Sequence, residues 1–201
     1  QTVYAPKGLA ARLKAEGERT KADLVLTVDI SRIKELADTG LLSPLASNKL
    51  NEHVPSHLRD ANDRWTALSL RARIIAVSKE RVGKEAITTI EDLASPKWKG
   101  RVCTRKGSHV YNRAVLASLI AHNGEEAAKQ WTLGLIDNLA RRPQGNDRSQ
   151  AKAIYTGQCD VALMNTYYYG KMKFAKDKPE QQKWADAIEI AFFNQDGRGQ
   201  H

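Results

Sequence analysis

Apolar residues along the chain follow two alternating patterns: short continuous runs, and longer segments in which they recur every three or four positions. The runs are typical of buried strands, and the periodic segments are typical of amphipathic helices. The runs predict strands at residues 2–4, 22–29, 65–78, 101–103, 160–164 and 187–193. The periodic segments predict helices at residues 8–17, 30–37, 88–94, 111–122, 125–137 and 148–156. Strands that alternate with helices predict an α/β fold with a mostly parallel sheet.

Three consecutive tyrosines follow the predicted strand at residues 160–164. A polar pair at residues 165–166 supplies a turn and a helix N-cap, and Tyr167, Tyr168 and Tyr169 then begin a helix. In open α/β sheets, ligands bind in the crevice beyond the carboxyl ends of the strands. We therefore expect the tyrosines to lie where such a protein binds its ligand.

Tyr111 has a similar place, because residues 104–112 connect the predicted strand at 101–103 to a helix. The positive end of a helix dipole favours the ionised form of a nearby phenol. A phenol has a pKa of about 10 and binds a metal strongly only when a positive charge removes its proton. Phenolates from two facing helix starts would suit a hard trivalent ion such as ferric iron. Core packing or a stacking platform is the alternative explanation of the adjacent tyrosines.

Arg71 and Arg73 interrupt the apolar run at residues 65–78. Two residues apart on one strand, their side chains would point to the same face. A buried positive charge needs a partner, so we expect one of the two to meet an anion or a carboxylate. An ordinary structural ion pair is the commoner arrangement of this kind.

The composition is that of an ordinary globular protein, with 201 residues of which 41% are hydrophobic and 27% are charged. This length allows one domain or two small lobes. No apolar run approaches the roughly 20 residues of a membrane span. The formal net charge of +9 is compatible with an anionic partner such as nucleic acid. A solvated basic surface is the interpretation we favour, because the positive residues are scattered and no nucleic-acid-binding module is recognisable.

The two cysteines, Cys103 and Cys159, each lie beside a predicted buried strand. They form either a disulfide, which would indicate an oxidising compartment, or two buried free thiols. Their spacing matches no zinc site. An enzyme that uses Cys103 as nucleophile and His109 as base is a weak hypothesis, because a catalytic cysteine is usually found at an exposed helix start.

Five segments together carry a resemblance to a known family. They are PKWKGRVCTR at 96–105, GSHVYN at 107–112, PQGNDR at 143–148, NTYYYG at 165–170 and NQDGRG at 194–199. The combination closely resembles the periplasmic ferric-ion-binding proteins of iron ABC transporters, over essentially the whole chain. The resemblance implies the α/β fold of a class II periplasmic binding protein, which has two lobes with mostly parallel sheets, a hinge and iron in the cleft between the lobes.

By this resemblance, Tyr167 and Tyr168 match the two adjacent phenolate ligands of the family. Tyr111 matches the extra tyrosine ligand of the subgroup that replaces a bound synergistic anion by protein. The cofactor implied is therefore Fe³⁺, with an anion such as carbonate or citrate as a further component of the site.

The resemblance also implies roles around the metal. Arg71 matches the cleft arginine that neutralises phenolates or holds a carbonate. Asn146 and Asn165 match cleft residues near the anion site. His109 is next to the site but is not a ligand, and Asp29 lies at the cleft edge of the first lobe.

Family members begin with a further strand and helix, which carry another ligand, and they continue with helices that complete the first lobe. This chain therefore resembles a fragment. We expect a partial first lobe at residues 1–72, the second lobe at 73–190 and a return crossover toward the first lobe at 191–201.

The function that the resemblance implies is non-enzymatic. The chain would bind ferric iron in the periplasm as a monomer, without a nucleic-acid partner, and deliver it to an ABC transporter permease in the inner membrane. Its export signal would be encoded outside this sequence. An anion-binding or other-metal-binding protein of the same fold is the nearest alternative, because fold does not fix function. A basic nucleic-acid-binding protein is a more distant alternative.

Overall fold

The computed structural model describes residues 8–83 and 87–194 and divides the chain into two compact units, Gln1–Leu70 and Arg71–His201. The strand predicted at residues 2–4 lies outside the described residues, as does most of the segment predicted to form the return crossover. None of the helices in the described ranges is both long and apolar enough to cross a lipid bilayer.

The described part of the first unit contains three α-helices, α1 (Leu9–Glu16), α2 (Ile30–Asp38) and α3 (Asn48–His53). The strand predicted at residues 22–29 is wrong, because this apolar segment pairs with none of the described residues. Its leucines are exposed instead, with 68% of Leu24 and 68% of Leu26 accessible to solvent. A strand needs a neighbour for its N–H and C=O groups, and the sequence pattern does not reveal whether that neighbour is present.

The second unit is built around a four-stranded sheet in the order β2-β3-β1-β4. Its strands are β1 (Arg73–Ser78), β2 (Val102–Cys103), β3 (Val161–Asn165) and β4 (Ile188–Ala191). β2 is parallel to β3, whereas β1 is antiparallel to both β3 and β4. The prediction of a mostly parallel sheet is therefore wrong for the described residues. Apolar runs identify buried strands but carry no information on strand direction, which the connections decide.

The strand predicted at residues 65–78 is shorter than expected, because only Arg73–Ser78 enters the sheet. Arg73 is thus the first residue of β1, and Arg71 lies outside the strand. The predicted arrangement of both arginines on one strand face is wrong. The helix predicted at residues 88–94 is a 3-10 turn at Glu91–Ala94.

Five α-helices complete the described part of the second unit: α4 (Val110–Asn123), α5 (Glu125–Asp137), α6 (Asp147–Tyr155), α7 (Thr166–Lys173) and α8 (Pro179–Asp186). Alternate residues of β1 face opposite sides of the sheet. Ile75 and Val77 belong to one buried cluster with Trp131, and Ile74 belongs to a second buried cluster with Met172. The sheet therefore has a hydrophobic core on each face, which explains the continuous apolar runs of its strands.

Cys103 and Cys159 form a disulfide. It joins the end of β2 to the segment just before β3, and both sulfur-bearing residues are buried. Of the two alternatives that the sequence left open, the disulfide is the one observed. Because Cys103 is oxidised, it is not a free nucleophile, and the hypothesis of a Cys103–His109 catalytic pair is wrong.

Candidate metal centre

Two helix starts meet at one edge of the sheet. β2 and β3 are parallel neighbours, so their carboxyl ends lie at the same edge. The loop after β2 leads into α4, and β3 leads directly into α7. Tyr111 stands on the first turn of α4 and Tyr167 on the first turn of α7, and their phenol oxygens are 3.2 Å apart. The structure therefore brings these two predicted site residues into direct contact.

Tyr168 lies beside this pair. Its ring stacks on that of Tyr167, with 4.3 Å between the ring centroids and 29° between the planes. The guanidinium of Arg148 lies 4.9 Å from the centroid of the Tyr168 ring. Tyr168 and Tyr169 both pack against the core cluster on this side of the sheet. The same turn of α7 thus combines a phenol that meets Tyr111 with aromatic rings that also serve in packing.

Tyr167 is held in its neutral form in the absence of a cation. Partial burial raises the pKa of Tyr167 above the ordinary value of about 10, and hydrogen bonds with Tyr111 and Tyr168 raise the pKa further. A phenolate at this position needs a compensating positive charge, which a bound metal ion can supply.

Three arginine side chains surround the Tyr111 ring. The guanidinium carbons of Arg71, Arg73 and Arg105 lie 5.1, 5.7 and 5.0 Å from the ring centroid. Lys171 adds a further positive charge, 5.3 Å from the Tyr167 ring. These positive charges attract anions.

Arg73 is the centre of a buried polar network. It donates to the Asp147 carboxylate at 2.8 Å, to the Asn165 side-chain oxygen at 3.2 Å and to the Asn112 side-chain oxygen at 2.9 Å. Arg105 donates to the other oxygen of Asp147 at 2.9 Å. Burial lowers the pKa of Arg73, and the opposing effect of Asp147 favours its charged form. Arg73 thus forms the buried ion pair that the sequence led us to expect for at least one of the two arginines.

Three buried N–H groups in this network have no partner among the described residues. They are Nε of Arg73, Nε of Arg105 and Nδ2 of Asn165. Buried donors are normally satisfied, so a cluster of unsatisfied donors is compatible with a bound acceptor such as an oxyanion or water. Among the described residues, no group of three or more His, Cys, Asp and Glu side chains could hold a metal.

Sequence comparison identifies the family. The model of the bacterial extracellular solute-binding proteins matches residues 19–195. The chain belongs to this family.

Individual members of the family point to iron. The chain is 42% identical over 193 residues to Iron uptake protein A1 of Synechocystis sp., and the matched region covers 96% of this chain and 53% of that protein. It is 30% identical over 175 residues to the major ferric iron-binding protein of Neisseria meningitidis, and this matched region covers 86% of this chain and 51% of that protein. The chain thus spans about half the length of these relatives.

A solved structure of a Trichodesmium protein in complex with iron and citrate ligands superposes with a TM-score of 0.92 at 41% identity. The match covers 96% of this chain and 61% of that one. The resemblance to the ferric-ion-binding proteins and the fold of a periplasmic binding protein, both expected from the sequence, are thereby confirmed.

Other residues that the sequence singled out have local roles in this solute-binding protein. His109 is the N-cap of α4, where its Nδ1 lies 3.2 Å from the Tyr111 N–H and its Nε2 lies 2.8 Å from Arg105. A neutral imidazole has one acceptor nitrogen, so only one of these contacts is a full hydrogen bond at a time. Asn146 caps α6. Asp29 caps α2 in the first unit through the Ser31 N–H at 3.2 Å.

Sequence reasoning missed Arg105, Asp147 and Asn112 as members of the site. All three belong to segments that carry the family resemblance, at 96–105, 143–148 and 107–112. Nothing in the residue pattern indicates that two of these side chains are charged and buried, because the loops around them read as polar and solvated.

Proposed function

We propose that this chain binds ferric iron through the phenolates of Tyr111, Tyr167 and Tyr168 and delivers it to the permease of an ABC transporter for iron uptake. The observation that carries the proposal is the 3.2 Å separation between the phenol oxygens of Tyr111 and Tyr167. Adjacent ligands of an octahedral ion with metal–oxygen distances of about 2.0–2.1 Å lie about 2.9 Å apart. A small approach of the two phenols would therefore let them share one hard cation.

The relatives support ferric iron as the cargo. One bears the name of an iron uptake protein, another is a ferric iron-binding protein, and a structure similar in fold contains iron and citrate. Ferric iron is a hard cation that prefers oxygen ligands, and three phenolates would balance its charge. In the absence of the metal, the raised pKa of Tyr167 keeps this phenol protonated.

We further propose that an anion such as carbonate or citrate completes the metal coordination. Arg71, Asn146 and Asn165 would hold it, as the resemblance implies. The unpartnered N–H groups of Arg73, Arg105 and Asn165 support an acceptor at this place.

The remaining expectations belong to the same proposal. The chain acts as a monomeric binding protein of the periplasm, without catalysis and without a nucleic-acid partner. Residues 1–72 belong to a first lobe, 73–190 form the second lobe, 191–201 return toward the first, and iron occupies the cleft between lobes. The Cys103–Cys159 disulfide supports an oxidising compartment such as the periplasm.

A visible absorption spectrum tests the proposal. The chain is loaded with ferric citrate, freed of excess iron, and compared with a Tyr167→Phe, Tyr168→Phe double variant. Tyr155→Phe is the matched control, because Tyr155 is 46% exposed and lies on α6. We expect a broad phenolate-to-iron band in the parent and the control and none in the double variant. A parent without this band contradicts the proposal.

The arginine cluster around Tyr111 favours one alternative, an anion-binding protein of the same fold. Citrate that binds equally well with and without ferric iron, in calorimetric titrations, would support this alternative instead.

A further inference from the structure

We infer that Asp147 is a positioning residue for Tyr111. Its carboxylate holds Arg73 and Arg105 against the phenol ring and thereby fixes the orientation in which the Tyr111 oxygen meets Tyr167. The consequence for iron binding rests on the function proposed above, whereas the effect on the ring does not.

Asp147 is the first residue of α6 and is fully buried, and both of its carboxylate oxygens accept hydrogen bonds. One oxygen accepts from Arg105 at 2.9 Å. The other accepts from Arg73 at 2.8 Å and from the backbone N–H of Asn165 at 2.7 Å. The carboxylate therefore links β1, the loop after β2, and the last residue of β3, which directly precedes the tyrosine helix.

Arg73 and Arg105, which Asp147 holds in place, both contact the Tyr111 ring. Their guanidinium carbons lie 5.7 Å and 5.0 Å from the ring centroid, within the range of a cation–π contact. Arg73 also donates to Asn112, the residue that follows Tyr111 on α4, at 2.9 Å. The ring and the backbone beside it are thus both tied to side chains that Asp147 holds.

Only a carboxylate can make this arrangement. Two buried guanidinium groups repel each other, and the single negative charge of Asp147 compensates one of them. An asparagine at this position would offer one acceptor oxygen and would turn an NH₂ group toward an N–H donor. Arg105 has the less buried side chain of the two, 11% exposed against 4% for Arg73. We therefore expect Arg105 to leave the ring in Asp147→Asn.

Asp160 provides a matched control for a merely structural ion pair. It also bridges two arginines, because it accepts from Nε of Arg81 and from Nε of Arg101 at 2.5 Å each. It precedes β3 at the end opposite Asn165. Asp160→Asn removes a similar bridge from the same unit and leaves the groups around Tyr111 in place.

The first experiment needs no iron. Ring-proton NMR resonances of selectively labelled tyrosine are compared between the parent, Asp147→Asn and Asp160→Asn. We expect the Tyr111 resonances to move in Asp147→Asn and to stay in place in Asp160→Asn. Unchanged Tyr111 resonances in a folded Asp147→Asn protein would overturn the inference. If Asp147→Asn does not fold, Arg105→Gln is used instead, because it keeps the Arg73–Asp147 pair, and unchanged Tyr111 resonances in that variant would overturn the inference.

The second experiment is a double-mutant cycle on the ferric dissociation constant, measured by competition with citrate. We expect Asp147→Asn to weaken binding about 10–100-fold, the usual effect of losing a group that orients a metal ligand. Adding Tyr111→Phe should then weaken it by less than about twofold, because both changes remove the same ligand contact. Fully multiplicative effects of Asp147→Asn and Tyr111→Phe would refute the inference. A parent that binds no iron would refute the proposed function alone, since the NMR comparison still decides the role of Asp147.

Discussion

The Cys103–Cys159 disulfide should contribute strongly to the stability of the second unit. Its two residues are separated by 56 positions in the sequence, and the cross-link therefore restricts a long loop of the unfolded chain. The chain-entropy relation for a loop of this length gives a stabilisation of about 4 kcal/mol at 25 °C. Since whole domains are stable by about 5–15 kcal/mol, this contribution is a large part of the total.

The bond also secures the start of the loop that leads to the tyrosine pair. β2 is paired to β3 through only Val102 and Cys103, a very short ladder. Thr104 and Arg105 follow directly, and Arg105 contacts the Tyr111 ring. We expect the loss of the disulfide to loosen this edge of the sheet before it affects the rest of the unit.

Urea unfolding with and without reductant measures the contribution, with tryptophan fluorescence as the probe because Trp98 and Trp131 are buried in this unit. We expect the reductant to lower the free energy of unfolding by about 4 kcal/mol in the parent. A Cys103→Ala, Cys159→Ala double variant is the control and should not respond to the reductant. A loss below about 1 kcal/mol in the parent would refute the reasoning, because the cross-link would then restrict the unfolded chain far less than its length requires.

Four further predictions concern single side chains. A Cβ at Gly134 would lie 2.9 Å from the Ala94 side chain and backbone oxygen, so Gly134→Ala should cost about 1–3 kcal/mol of unfolding free energy in urea titrations. A Gly134→Ala variant as stable as the parent would contradict this close contact with Ala94. Gly170 on α7 has open space where a Cβ would lie, so Gly170→Ala should raise the free energy of unfolding by about 0.5–1 kcal/mol. The ion pair with Arg64 lowers the pKa of Asp60 to about 2, so its stabilisation is present above about pH 4 and lost toward pH 2. Asp60→Asn should flatten that acid limb in thermal melts, and an unchanged pH profile would contradict it. Arg73→Met should unfold at a lower urea concentration than Arg71→Met, because Arg73 is the more deeply buried of the two and its loss leaves the buried Asp147 carboxylate without one of its charged partners.

The positions of most helices and buried strands in the second unit could be predicted from the sequence, although α8 was not predicted. The helix at Glu125–Asp137 and the strand at Val161–Asn165 agree with their predictions within one residue. These segments bury apolar side chains against neighbours within the same unit, so the periodic pattern carries the information. The segment at residues 22–29 has an equally apolar pattern but no strand partner among the described residues, and the pattern cannot indicate this difference.

The proximity of Tyr111 and Tyr167 was predictable for a similar reason. Tyr111 and Tyr167 each stand on the first turn of a helix that follows a predicted strand, and parallel neighbours place such turns at one sheet edge. Asp147, whose carboxylate binds the arginines around Tyr111, could not be recognised from its place in the sequence. It comes from α6, which is remote in sequence from both β1 and the loop after β2, and an acidic residue at a helix start normally reads as a solvated cap.

The placement of Asp147 explains why a strongly basic site can be stable before any ligand arrives. Arg73 and Arg105 bring two positive charges to buried positions beside the Tyr111 ring, and their mutual repulsion would destabilise the fold. One carboxylate reduces this buried excess to a single positive charge and leaves the phenols free to take up a cation. A second carboxylate at this place would neutralise the excess completely and would itself compete for the metal. Under the proposed function, the single aspartate is therefore the arrangement that holds both arginines, keeps the attraction for anions, and would leave the tyrosine oxygens as the hard ligands of the metal.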